Sequence, residues 1–104
     1  MSTVWMSYTV DGELTEHETK GTLSDYQKVV GGWIEPVTMR DFTVYVNEEG
    51  LLLGLPLNLG ASGITGRPLV GDVCFVGNPD QWGNTRKLNK GTVERIRYTL
   101  TGRL

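Results

Sequence analysis

The side chains able to do chemistry in this sequence are few and widely spaced. The only histidine, His17, lies between glutamates in Glu16-His17-Glu18, and the only cysteine, Cys74, sits in the apolar run Val73-Cys74-Phe75-Val76. Zinc takes several His or Cys ligands, so these two residues predict no metal site. A Cys–His nucleophile pair needs the two to meet in space, and an apolar setting disfavours the thiolate; Cys74 therefore reads as a core filler. Asp41, Glu48 and Glu49 are the candidates for paired carboxylates. Neighbouring residues on a strand point to opposite faces, however, and Glu48-Glu49-Gly50 has the composition of a solvated hairpin turn. Asp72 fits a turn in which it accepts backbone hydrogen bonds. No catalytic residue, metal ligand or cofactor is predicted.

Recognition chemistry is concentrated at the end of the chain. Arg86, Lys87, Lys90, Arg95, Arg97 and Arg103 place six of the ten basic residues after Gly83, against Glu94 alone. Such a stretch can meet phosphate groups or an acidic patch on a protein, although a merely solvated face has the same composition. Trp82 beside it offers a stacking surface. Trp82, Arg86, Lys87, Arg95 and Arg97 are the predicted partner- or anion-binding residues. Asn58-Leu59-Gly60-Ala61-Ser62-Gly63 is glycine-rich but lacks the lysine and spacing of a P-loop, and Gly31-Gly32 reads as a helix end.

The elements that must position these residues follow from local pattern. Thr3 to Val10 mixes Val, Trp, Tyr and Thr, and Asp11-Gly12 then predicts a type I′ turn into a polar second strand, giving an N-terminal hairpin over residues 3–19 with one exposed or edge strand. Thr22 or Ser24 can cap a short helix through Val30, with Leu23, Tyr26 and Val30 near one face. Phe42 to Val46 is the best strand in the chain. Asn47-Glu48-Glu49-Gly50 predicts that this strand pairs with the leucines after it, in a hairpin from Phe42 to Leu53. Asn58 to Gly66 is a short helix or a tightly packed loop, and Val73 to Val76 resembles a buried central strand. The stretch from Gly77 to Gly91 reads as a polar surface loop whose large apolar residue is Trp82. Thr92 to Leu100 favours a helix capped by Thr92, although its spacing also suits a strand. Trp5 and Trp33 are expected in the core, and Trp82 outside it.

The 104 residues, 38% hydrophobic and 21% charged, fit one globular domain. The predicted architecture is α+β: a small antiparallel β-sheet with one or two short helices packed on one face. A family-like core spans residues 29–77 and a basic C-terminal segment residues 83–104. A chain this small buries only about two-thirds of its unfolded surface, so self-association would help it. A formal charge of -2 gives no global attraction for nucleic acid or an anionic membrane. The lone cysteine suits a reducing cytosol, the start Met1-Ser2-Thr3-Val4-Trp5 lacks a cationic leader, and no apolar run approaches a membrane span.

Four motifs carry a resemblance: Val30-Gly-Gly-Trp-Ile-Glu35, Tyr45-Val-Asn-Glu-Glu-Gly50, Leu55-Pro-Leu-Asn58 and Gly71-Asp72-Val73. In this order they resemble the small phage and bacterial proteins grouped as domain of unknown function 3846. The resemblance covers roughly the middle half of the chain, with a departure at Gly60-Ala61-Ser62. It implies a bacteriophage or prophage source and no mechanism. The leading expectation is a non-enzymatic phage accessory protein of the host bacterial cytoplasm. It would bind a host protein or a copy of itself during takeover or defence evasion, with Trp82 and the arginines as contacts. The alternative is a small-molecule binder that sequesters a nucleotide signal.

Overall fold

Alternating apolar and polar positions along short strands give a sheet two faces, and each face with apolar residues has to be covered. The computed structural model describes residues 2–103 of the chain. Its strands are β1 (Trp5–Tyr8), β2 (Leu14–His17), β3 (Ile34–Thr38), β4 (Thr43–Asn47) and β5 (Val73–Val76); its helices are α1 (Leu23–Val30), α2 (Leu59–Thr65) and α3 (Lys90–Thr101). The strands form one antiparallel sheet in the order β2-β1-β5-β4-β3. The last strand in sequence thus inserts between two hairpins, β1–β2 and β3–β4. All four β5 residues are buried, as its unbroken apolar run predicts.

The chain is α+β, built on a small antiparallel sheet. Among the described residues, however, its helices are three and divide between both faces. On one face Trp5, Cys74 and Val76 pack with Tyr26 and Val30 of α1. On the other, Met6, Tyr8, Val44, Val46, Val73 and Phe75 pack with Ala61 of α2 and Val93 and Ile96 of α3. Strands β1, β4 and β5 carry large apolar residues in both alternating sets, so helices on one face would leave the other uncovered.

Local chemistry sets the ends of these elements. Thr22 caps α1 in a reciprocal box with Asp25: the Asp25 N–H donates to Thr22 Oγ1 at 3.1 Å and the Thr22 N–H to Asp25 Oδ2 at 2.9 Å. Leu23, predicted on the buried face, is 55% exposed because it lies at the first helical position, beyond the sheet. The turn between β1 and β2 is not type I′. Thr9 N–H donates to Glu13 O and Gly12 N–H to Thr9 O, enclosing a three-residue loop in which Gly12 alone has positive φ, at 90°.

The predicted pairing of Phe42–Val46 with the leucines does not form. Strand β4 is bonded on both sides already, to β3 and β5. The segment after Asn47 closes on itself: Asn47 O accepts from Gly50 N–H, Glu49 O from Leu53 N–H, Leu51 O from Gly54 N–H and Gly50 O from Leu55 N–H. Trp33, expected in the core, is 67% exposed just before edge strand β3. Helix α3 begins earlier than expected, with Asn89 as cap, and Thr92 lies inside its first turn.

Candidate functional site

The five predicted contact residues are all toward the outside of the molecule, but most already have structural partners. Arg97, on α3, donates through Nε and Nη2 to the two Glu16 carboxylate oxygens at 2.7 and 2.6 Å. Thr3 Oγ1 donates to the same carboxylate at 2.6 Å. This two-pronged pair clamps α3 to β2, and it holds the Glu16 carboxyl below its usual range while raising the Arg97 guanidinium. Arg95 reaches Asp41 at 3.2 Å in a half-exposed pair and lies over the Phe42 ring at 5.6 Å. Arg86 donates to the backbone carbonyls of Asn78 and Pro79 at 2.9 and 3.2 Å.

Lys87 is exposed and makes no hydrogen bond among the described residues. Trp82, 76% exposed, stands at a loop tip ordered by Asp80, whose carboxylate accepts from the N–H groups of Trp82 and Asn84 at 2.9 Å. Those bonds, Asn84's first, lower the Asp80 pKa. The five do not converge. Arg86 and Lys87 share one groove, Lys87 and Arg97 line a second, and Trp82 lines neither. The loop that carries Trp82 is tied down by Leu88, which sequence reading passed over. Leu88 is 2% exposed, and its N–H donates to Val4 O at 2.9 Å. An apolar residue in a polar stretch was the available signal.

The buried residues of the four motifs are committed to the scaffold. Asn47, buried, donates from Nδ2 to Val30 O at 3.0 Å and accepts the Glu49 N–H at 2.8 Å, joining β4 to the end of α1 and to the following turn. Asn58 is fully buried; it caps α2 through the Ala61 N–H at 3.0 Å and donates to Gly71 O at 3.0 Å and Tyr8 O at 3.4 Å. Asp72 accepts a backbone N–H as expected, but from Val10 in the distant β1–β2 loop, at 2.9 Å, rather than from its own turn. Cys74 is 0% exposed in the core, and burial pushes its thiol up to about 12.

One pair with catalytic composition forms that the sequence did not suggest. Ser7 Oγ and His17 Nε2 are 3.0 Å apart on neighbouring strands, and the imidazole stacks on Trp5 with centroids 3.7 Å apart. Burial lowers the His17 pKa, with Asp25 opposing. The Asp25 carboxylate is itself held in the α1 cap, so it does not orient the ring as a triad acid would. The pair acts as a cross-strand contact.

Three consecutive exposed leucines lie in the turn after β4. Leu51, Leu52 and Leu53 are 84%, 87% and 60% exposed. Leu51 and Leu52 line a groove of about 450 Å³ together with Val37, Val46, Leu69 and Val70, and Glu35 and Glu48 line it as well. The edge strand beside it, β3, is protected. The bonds Glu48 N–H to Trp33 O and Met39 N–H to Phe42 O mark alternate pairs, so the Pro36 nitrogen faces away from β4 and supplies no donor to an added strand.

Among the described residues no three His, Cys, Asp or Glu side chains gather as metal ligands, and no helix is long and apolar enough to cross a membrane. Fold and surfaces together define a small α+β domain with a polar scaffold and separate surface grooves. The family model described as domain of unknown function (DUF3846) matches residues 6–101, and the chain belongs to that family. The match takes in the N-terminal hairpin and α3, well beyond the middle half that the four motifs cover. No curated protein and no solved structure matches the chain.

Proposed function

We propose that this chain is a non-enzymatic binding protein whose partner is another protein, docked on the Leu51–Leu53 turn. In the phage setting that the sequence motifs suggest, the partner is a host protein of the bacterial cytoplasm. The reading rests on three consecutive leucines left 60–87% exposed by a turn whose own backbone bonds hold it closed. Fully burying a leucine is worth about 1.5–3 kcal/mol, and such a cluster beside a groove marks an interaction surface. It replaces the basic tail as the surface for a protein partner, because Arg86, Arg95 and Arg97 have partners within the chain.

The carboxylates along the groove favour one kind of occupant. Glu35 and Glu48 border the groove and Glu49 follows, which suits an apolar segment flanked by Lys or Arg. Two copies meeting symmetrically through this turn would oppose like carboxylates, and an anionic lipid surface would be repelled in the same way. The test is affinity capture from host lysate with the wild type, with Leu51→Ser/Leu52→Ser/Leu53→Ser, and with Arg86→Ala/Lys87→Ala. The expected result is a protein retained by the wild type and the basic double variant and lost by the leucine variant. Retention by the leucine variant at wild-type level contradicts the reading.

A further inference from the structure

A separate groove, of about 530 Å³, opens at the start of α3 and is lined by Arg40, Asp41, Asn78, Arg86, Lys87 and Thr92 among others. Three cations border it, and the one carboxylate there is paired with Arg95. Its frame is rigid. Asn78 donates to the carbonyls of Met39 and Arg40 at 3.1 and 2.9 Å and accepts the Thr43 hydroxyl at 2.7 Å. Gly77 N–H bonds Arg86 O at 2.8 Å, and a Cβ at Gly77 would run into the backbone of Arg86 and Lys87. The two carbonyls that hold Arg86 fix its guanidinium plane and leave Nη1 uncommitted.

The helix terminus supplies a second, independent feature. Helix α3 has twelve residues, and its cap Asn89 accepts the Gly91 N–H at 2.8 Å, which leaves the Thr92 N–H without a partner among the described residues. Thr92 is 8% exposed, and its hydroxyl also makes no hydrogen bond among those residues. No buried side-chain oxygen or nitrogen among them is both fully enclosed and unpaired, so that hydroxyl opens into the groove that Thr92 lines. A solvent-reachable hydroxyl on a residue otherwise more than nine-tenths buried, and an unpaired N–H at the positive end of a helix, sit in a groove that three cations also line, and these are the donors an anion requires.

We infer that this groove binds a phosphate dianion, free or as a monoester: Thr92 and the first turn of α3 take two oxygens while Arg86, Lys87 and Arg40 neutralise the charge. The inference is independent of the protein-docking reading, since it uses no residue of the leucine turn. The phosphate could be free or carried by a nucleotide. Trp82 lies outside the groove lining, so stacking of a base on it forms no part of the site.

Amide spectra of 15N-labelled protein, titrated with inorganic phosphate at constant ionic strength, provide the test. The expected result is saturable shifts at Lys90, Gly91 and Thr92, with affinity about tenfold weaker in Thr92→Val and also reduced in Lys87→Met. Lys87 is exposed, so its replacement keeps the test valid if Thr92→Val fails to fold. Shifts that rise without saturation, spread over all basic residues, or persist unchanged in both variants overturn the inference. In a parallel titration, adenosine monophosphate binding more tightly than phosphate identifies a nucleotide as the source. Phosphate binding where the nucleotide does not identifies the free ion.

Discussion

The basic tail and the Leu51–Leu53 turn both lie on the outside of the molecule, and composition alone ranks the tail as the surface for recognition. Contact by contact the order reverses. Arg97 clamps Glu16, Arg95 meets Asp41 and Arg86 holds two carbonyls, whereas the leucines have no comparable task. Exposure and charge identify side chains that can reach a partner. Existing contacts identify those that have yet to find one.

The scaffold between the two regions sets the scale against which they are compared. Asn58→Ala strips a helix cap and leaves the buried Gly71 carbonyl without its Asn58 donor, so it should cost about 3 kcal/mol in urea unfolding. A loss below about 1 kcal/mol would show that these bonds do not anchor the fold. Arg97→Met should cost about 1 kcal/mol, the scale of a partly exposed but two-pronged pair. If it costs nothing, the tail is freer than its contacts indicate and the contrast with the turn weakens.

Acidification sharpens the same point. The Glu16 carboxyl has its pKa lowered on folding, first by Arg97, so its stabilisation is fully present above the unfolded value near 4.5 and is lost as pH falls through the lower folded value. The stability gap between wild type and Glu16→Gln should therefore close in that acidic window. His17, also lowered, loses its contribution at higher pH, starting as pH falls below about 6.5. A gap that widens on acidification reverses the assigned sign. Arg95→Ala, breaking a half-exposed pair, should stay within about 0.5 kcal/mol of wild type in the same unfolding assay.

Much of the fold was legible because it rests on short-range rules. The Val73-Cys74-Phe75-Val76 run announces a central strand, Thr22 a helix cap and the Asp-Gly step a hairpin. Apart from the turn type at Asp11-Gly12 and the cap of α3, what failed depended on partners distant in sequence. Nothing near Phe42–Val46 reveals that β3 and β5 occupy both of its edges, and that occupancy turns the leucines outward. Likewise, Arg97 reads as a free cation until Glu16, 81 residues away in the chain, is brought beside it. The leucine turn did leave a trace. Three consecutive leucines on an alternating strand cannot all face one core.

Photo-crosslinking in cells that express the protein tests the central claim most directly, with benzoylphenylalanine placed at position 52 in one protein and at position 82 in another. The account predicts a discrete adduct from position 52, abolished by Glu35→Lys/Glu48→Lys, and none of comparable yield from position 82. A discrete adduct from position 82 with none from position 52 would contradict it and return recognition to the basic tail.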